Sequence, residues 1–167
     1  MSRLKRLPGV SYLGGSLYFL TFCVRDRLDV FVNADAVSSA LRQIQHVART
    51  RQFTILAYCF MPDHLHLIAS GTAENADVKK LIARAKQYSG FNFKQEFGLC
   101  LWQRYGFERV IRDDMELACT IGYVVANPVR AGLASHPLMY PHLGSTQFQV
   151  AELLEICEYG RLTHPSG

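Results

Sequence analysis

Residues 53–70 read FTILAYCF-MPD-HLHLIAS, and this stretch decides the fold. Two runs rich in aromatic and aliphatic residues flank a short turn. Within the turn, Pro62 fixes one backbone torsion and Asp63 tolerates turn geometry. The stretch therefore predicts two antiparallel strands, Phe53–Phe60 and His64–Ser70, joined as a hairpin.

Strand and helix patterns continue on both sides of this hairpin. The remaining predicted elements are a strand over Leu17–Val24, a helix capped by Asn33 or Asp35 that ends near Thr50, a helix capped by Asn75 that runs through Ala85, a strand over Phe107–Ile111, and a helix that Asp113 and Asp114 open and Pro128 ends at about Asn127. The order β-α-β-β-α-β contains the split βαβ arrangement. We therefore expect an α+β, ferredoxin-like βαββαβ antiparallel sheet with two helices on one face, followed by an additional C-terminal helix.

Composition limits the class of protein. The chain has 167 residues, of which 49% are hydrophobic and 19% charged, which favours one domain over 1–167 with a sizeable core. No Pro- or Ser-rich linker divides it, and residues 146–167 form an acidic tail to which the sequence assigns no role. Five cysteines without a C-x-x-C pair indicate reduced thiols and a cytoplasmic location, and no stretch is apolar enough to predict a membrane span.

Charge is unevenly distributed along the chain. Residues 1–112 carry 16 Lys and Arg against 8 Asp and Glu, whereas residues 113–167 carry 2 against 6. One part of the molecule is therefore positive, as expected of a surface that meets a polyanion.

His64 and His66 are the sharpest local feature. Residues two apart on a strand point to the same face, so both imidazoles project together while Leu65 faces the other side. Two adjacent neutral imidazoles suit a divalent metal ion. The alternative is a pair of surface histidines on the solvated face of an amphipathic strand.

Tyr123 and Asn127 form a second pair. They lie four residues apart on the last predicted helix and so share a face. A tyrosine can act as a covalent nucleophile, and an asparagine carbonyl can complete a metal site. Taken alone, the pair is equally compatible with an edge residue of the core and a helix-terminal residue before Pro128.

The second predicted helix carries a stripe of cations. Lys79, Lys80, Arg84 and Lys86 lie outside its apolar side, with no acidic residue among them. Lys80 and Arg84 are like charges four residues apart, which repel each other unless an anion such as a phosphate backbone lies beside them. A plain solvated helix face is the alternative. Aromatic residues between polar ones at 102–105 suit base stacking, but also a core.

Four motifs together resemble a known family. They are MPDHLHLI at 61–68, LWQR at 101–104, VIRD at 110–113 and YVVANPVRAGL at 123–133. In this order they resemble the REP-associated tyrosine transposases, which belong to the single-tyrosine HUH transposases (His, a hydrophobic residue, His). The resemblance covers roughly Gly14 to Ser145.

This resemblance implies a metal site and a nucleophile. His64 and His66 would hold Mg²⁺ or Mn²⁺, with Asn127 completing the metal site, and Tyr123 on the additional helix would be the nucleophile. The family cleaves single-stranded DNA beside hairpins through a 5′-phosphotyrosine link. On this basis the candidate DNA-binding residues are Lys79, Lys80, Arg84, Lys86, Arg104, Arg112 and Arg130.

Three functions remain open at this point. The first is a metal-dependent DNA strand transferase, acting as a monomer or homodimer on hairpin DNA. The second is a catalytically idle nucleic-acid-binding protein of the same fold. The third is a metal-dependent phosphodiesterase that uses water as its nucleophile.

Overall fold

A computed structural model describes residues 15–163. The expectations for the N-terminal residues 1–14 and for the last four residues of the acidic tail lie outside this range. The elements are β1 (Leu17–Cys23), α1 (Ala34–Thr50), β2 (Phe53–Met61), β3 (His64–Gly71), α2 (Val78–Phe97), β4 (Phe107–Ile111), α3 (Asp114–Arg130), β5 (Leu143–Gly144) and α4 (Val150–Thr163), with short 3₁₀ turns at Arg25–Arg27, Val30–Val32 and Pro137–Met139.

One five-stranded sheet organises the chain. Its strand order is β4-β1-β3-β2-β5, and all four pairings are antiparallel. The first four strands have the ferredoxin-like arrangement, which confirms the predicted fold. The short β5 extends the sheet beyond β2.

Helices cover both faces of the sheet, because alternate strand residues are apolar on each side. Leu20, Phe22, Leu65 and Leu67 pack with α1 and α2 on one face. The opposite face, which includes Phe19 and Ile68, packs with α3 and α4. The expected pair of helices on one face is present, and the other face is covered as well.

Two predicted helix boundaries are wrong. Helix α2 is capped by Asp77 rather than Asn75, because the Asp77 carboxylate accepts hydrogen bonds from the backbone N–H groups of Lys79 and Lys80 at 2.9 and 3.2 Å. Helix α3 continues past Pro128 to Arg130. Proline removes only its own N–H donor, and so close to the helix end that loss is tolerated.

The segment from 146 onward contains a packed helix. Leu153, Ile156 and Cys157 of α4 are buried in the second core. The helices α3 and α4 approach closely, since a Cβ added at Gly160 would lie 2.7 Å from that of Ala118. No helix in residues 15–163 is long and apolar enough to cross a membrane.

Candidate active site

The two histidines of β3 converge on one point. The Nε2 atoms of His64 and His66 are 3.1 Å apart. Leu65 and Leu67, between and after them, are buried on the opposite face of the sheet. The predicted shared face of the two imidazoles is therefore confirmed.

His64 is oriented by a carboxylate and a guanidinium. Its Nδ1 lies 2.6 Å from Oδ1 of Asp63, and Oδ2 of Asp63 pairs with Nε of Arg27 at 2.8 Å. Burial would raise the pKa of Asp63, but the hydrogen bond and charge of His64 and the charge of Arg27 outweigh it, so that pKa lies below its ordinary value. Asp63 is therefore ionised and acts only as an acceptor.

His66 is held deeper in the protein, with 5% of its surface exposed. Its Nδ1 lies 2.9 Å from the hydroxyl oxygen of Thr21, its partner across the β1–β3 pairing. Its ring stacks on Phe19 with 5.4 Å between centroids. Burial, followed by the charges of His64 and Arg27, lowers its pKa to about 4. The imidazole is thus neutral at neutral pH, the state in which it can ligate a metal.

Tyr123 lies against this pair. Helix α3 crosses the sheet face so that the Tyr123 ring meets the His66 ring edge-on, with 5.5 Å between centroids. The guanidinium of Arg130, two turns further along α3, lies 5.6 Å from the Tyr123 ring centroid. The side of the tyrosine away from Phe19 and His66 is open, and 43% of the residue is exposed. The residue is therefore accessible to a ligand from solvent.

Asn127 contributes a buried amide one helical turn after Tyr123. Its Nδ2 atom has no hydrogen-bond partner among residues 15–163. Buried amides are normally paired, so an orphaned one suggests a function other than packing. Because the amide oxygen and nitrogen exchange places on a 180° rotation, this group can present its carbonyl oxygen to a cation.

The donor set fits a catalytic divalent cation. Two cis ligands with bonds of about 2.1 Å lie roughly 3 Å apart, close to the 3.1 Å between the two imidazole nitrogens. No cluster of three or more His, Cys, Asp or Glu side chains suited to a metal occurs in residues 15–163. The two converging imidazoles, with the Asn127 amide on α3 as a candidate further ligand, would leave positions open for substrate, unlike a closed structural zinc site.

The predicted cationic residues do not form one stripe. Lys79, Lys86 and Arg104 line a groove of about 440 Å³ between α2 and the edge strand β4, together with Tyr105 and Phe107. We call this the edge groove. Thr21 also lines it, so the edge groove and the histidine pair share a residue. Thr21 is thus the link between them, since α2 covers the face of the sheet opposite to the histidine pair.

The other candidate cations are placed elsewhere. Lys80 pairs with Asp77 at 3.7 Å, and Arg84 donates to Gln87 at 2.7 Å. Arg112 is exposed just after β4, and Arg130 lies beside Tyr123. Lys86 is only half-exposed and donates to the backbone carbonyl of Gln103 at 3.1 Å, so part of its role is to hold the 101–106 loop on α2.

Sequence reasoning missed the residues that support the site. Thr21, Arg27 and Phe19 come from β1 and the turn after it, and only the strand register brings them to His66 and Asp63. Asp63 had a visible signal, since it directly precedes His64, but it was interpreted only as a turn residue. Arg109 of β4 was also missed; it lies over the Phe19 ring and pairs with Glu116 of α3.

Comparison with known proteins identifies the family of this chain. The family model described as "Transposase IS200 like" matches residues 15–111. A Haemophilus influenzae protein assigned to the REP-associated tyrosine transposases is 30% identical over 132 residues, covering 71% of this chain and 73% of that protein. The REP-associated tyrosine transposase of Escherichia coli K12 is 25% identical over 126 residues, covering 72% and 71%.

A solved structure has the same architecture. A REP-associated tyrosine transposase bound to a REP hairpin superposes with a TM-score of 0.67 at 25% identity, over 86% of this chain and 82% of that one. The family model matches more than half of the chain, and the Haemophilus relative supports it over most of the length of both proteins. The chain therefore belongs to the IS200-like transposases, and its relatives within that family are the REP-associated tyrosine transposases.

Proposed function

We propose that this transposase is a metal-dependent, single-tyrosine HUH enzyme that nicks and rejoins single-stranded DNA beside a hairpin. The observation that carries the proposal is that the Tyr123 ring contacts His66, and that His66 and His64 converge through their Nε2 atoms. A nucleophile and a cation-binding pair on the same surface are what phosphodiester cleavage by a side chain requires.

The chemistry of this chain's residues follows from their positions. The Tyr123 oxygen attacks phosphorus and loses its proton, a phosphorus–oxygen bond to tyrosine forms, and the bond to the 3′ oxygen breaks. The 3′ oxygen takes up a proton and becomes the hydroxyl that can reverse the reaction. Arg130 places positive charge beside the tyrosine ring, which favours the approach of the phosphate.

His64, His66 and Asn127 are the residues proposed to hold Mg²⁺ or Mn²⁺. Such an ion would polarise the scissile phosphate and offset the charge that develops on it. The protein's own contribution is to keep the two imidazoles converged, with His66 neutral in a largely buried setting. All four proposed site residues lie in one chain, so a monomer would be complete, and a homodimer would carry two such sites.

The edge groove is the proposed contact for DNA. It combines the cations Lys79 and Arg104 with the exposed aromatic side chains of Tyr105 and Phe107, a mixture suited to unpaired nucleotides. The hairpin partner is proposed from the relative whose structure contains a REP hairpin.

A denaturing gel tests this function. The protein is incubated with Mn²⁺ and an oligonucleotide that carries the hairpin flanking its own gene and a single-stranded extension. We expect a protein–DNA adduct that survives denaturation. Tyr123→Phe keeps the ring and its contacts, so it should bind DNA with unchanged affinity but give neither adduct nor cleavage.

The same gel separates the alternatives. Binding by the wild-type protein without any cleavage would favour an idle nucleic-acid-binding protein. Cleavage by Tyr123→Phe at the wild-type rate, with no adduct in either protein, would favour a phosphodiesterase that uses water.

A further inference from the structure

The turn after β1 places a guanidinium next to the site at the expense of backbone strain. Asp26 and Arg27 both adopt left-handed backbone conformations, with φ of 57° and 55°. Two consecutive non-glycine residues in this region are unusual, and they persist where surrounding contacts hold them. The turn is held on both sides: Val24 N–H donates to the carbonyl of Asp63 at 2.9 Å, and Arg25 N–H to that of Leu101 at 2.8 Å.

The strained turn directs Arg27 toward the histidine pair. Its Nε pairs with Oδ2 of Asp63 at 2.8 Å, while its NH1 donates to Sγ of Cys23 at 2.9 Å. The other carboxylate oxygen, Oδ1, is thereby left for Nδ1 of His64 at 2.6 Å. Arg27, Asp63 and His64 thus form a continuous series of side-chain contacts from the turn to the histidine pair.

An ionised carboxylate can only accept, so this arrangement determines where the proton of His64 lies. A neutral imidazole carries one N–H and one lone pair. With the proton on Nδ1, the Nε2 lone pair of His64 points toward Nε2 of His66. We propose that the Arg27–Asp63 ion pair keeps the proton of His64 on Nδ1. Arg27 and Asp63 are thus positioning residues, which leave the Nε2 lone pair of His64 free for a cation before any cation binds.

Thr21 does not fix one tautomer of His66, because a hydroxyl both donates and accepts hydrogen bonds. In the metal-free protein, His66 carries its proton on Nε2 and donates it to His64 across 3.1 Å, while the Thr21 hydroxyl donates to Nδ1. A cation held at Nε2 would require the other neutral tautomer, in which the proton lies on Nδ1 and the Thr21 oxygen accepts a hydrogen bond from Nδ1–H. His64 is thus fixed in one tautomer, and His66 exchanges between two.

Histidine-selective nitrogen NMR on the ¹⁵N-labelled, metal-free protein tests the fixed tautomer directly, independently of the proposed enzymatic function. We expect the wild-type His64 to carry its proton on Nδ1. Asp63→Ala should convert it to a mixture dominated by the Nε2–H form that free imidazole side chains favour. Asp63→Asn keeps the size of the side chain but has one acceptor oxygen for two donors, Nε–H of Arg27 and Nδ1–H of His64. With that oxygen on Arg27, the amide N–H faces Nδ1 of His64 and should shift this histidine toward the Nε2–H form, which a purely packing role for the carboxylate would not predict.

Arg27→Ala should partly lose the Nδ1–H form, and Arg25→Ala provides the matched control. Arg25 is an exposed arginine on the same turn, so its removal takes away the same charge. An unchanged His64 tautomer in Asp63→Ala, or identical spectra for Arg27→Ala and Arg25→Ala, would overturn the proposal.

The metal part of the inference rests on the proposed function and is measured with Mn²⁺ alone, without DNA. Loss of a group that orients a ligating histidine weakens metal binding by about 10- to 100-fold. We expect this loss in Asp63→Ala, a smaller one in Arg27→Ala and none in Arg25→Ala. If the wild-type protein itself binds no Mn²⁺, the proposed function fails while the tautomer result stands separately. Tight Mn²⁺ binding by wild type that is undiminished in Asp63→Ala would contradict the positioning role.

Discussion

Asn127 is the residue at which the needs of the fold and of the proposed site can be separated. Its buried Nδ2 has no hydrogen-bond partner in residues 15–163. Leaving a buried polar group unpaired destabilises a protein by about 1–3 kcal/mol. A protein retains such a group where a site needs it, and in the proposed function the Asn127 oxygen would be the third ligand after the imidazole nitrogens of His64 and His66.

Replacing Asn127 with leucine should therefore separate stability from metal binding. Asn127→Leu removes the orphaned amide at similar volume, so the free energy of unfolding of the metal-free protein should be unchanged or rise by up to about 1 kcal/mol. Mn²⁺ binding should weaken. Urea denaturation and Mn²⁺ titration measure the two effects. Lower stability with unaltered Mn²⁺ binding would make Asn127 a packing residue.

At residue scale, the sequence was sufficient to predict which side chains share a face wherever neighbours along the chain determine the geometry. The two-residue spacing of His64 and His66 sets a common face, and the four-residue spacing of Tyr123 and Asn127 does the same on a helix. It was insufficient for Thr21, because the contact with His66 depends on the β1–β3 register. The pairing partner of a strand residue lies 45 positions away and leaves no local pattern.

At the scale of elements, Tyr140 helps to hold the chain after α3 on the sheet. The Tyr140 hydroxyl donates to the backbone carbonyl of Phe60 in β2 at 2.6 Å, next to the point where β5 pairs with β2. Burial, together with the nearby Cys59 thiol, raises the pKa of Tyr140 to about 12. The folded state therefore favours the neutral phenol.

This anchor should make stability depend on alkaline pH. The stabilisation is fully present below pH 10, the ordinary pKa of tyrosine, and is lost as the pH rises through about 12. Tyr140→Phe should unfold about 1 kcal/mol more easily at pH 8. The difference between the two proteins should shrink between pH 10 and 12, as urea denaturation at each pH can show. A constant difference across that interval would mean that the hydroxyl is not the titrating group.

Element boundaries show where local signals compete. Asn75 and Asp77 are both good caps, and only the three-dimensional position of the carboxylate decides for Asp77. Pro128 signals a helix end, yet α3 continues for two residues beyond it. The apolar residues of α4, by contrast, are buried only because α3 provides the surface on which they pack. In the sequence, the acidic residues of α4 made this segment look like a solvated tail.

At the scale of the whole molecule, the edge groove is a concave surface lined by cationic side chains. The sequence predicted one cationic stripe on α2, but the fold divides it: Lys79 and Lys86 join Arg104 in the edge groove, whereas Lys80 and Arg84 have partners on their own helix. The division arises because the 101–106 loop, which follows α2 and contributes Arg104, folds back on that helix, where Lys86 donates to the carbonyl of Gln103. Contacts with DNA should therefore concentrate in the edge groove.

The salt dependence of DNA binding tests this concentration. Each lost phosphate contact should flatten the slope of log K against log salt by about 0.7 for single strands or 0.9 for duplex, so Lys79→Ala with Arg104→Ala should flatten it by about 1.4 to 1.8. Removing two exposed arginines of α1, Arg42 and Arg49, takes away equal charge and should leave the slope nearly unchanged. Lys80→Ala with Arg84→Ala then maps the extent of the contact: an unchanged slope would confine the DNA to the edge groove, and a flattened one would extend it over α2. If the groove variant and the α1 variant flatten the slope equally, the attraction is general, and the edge groove is not the site of contact.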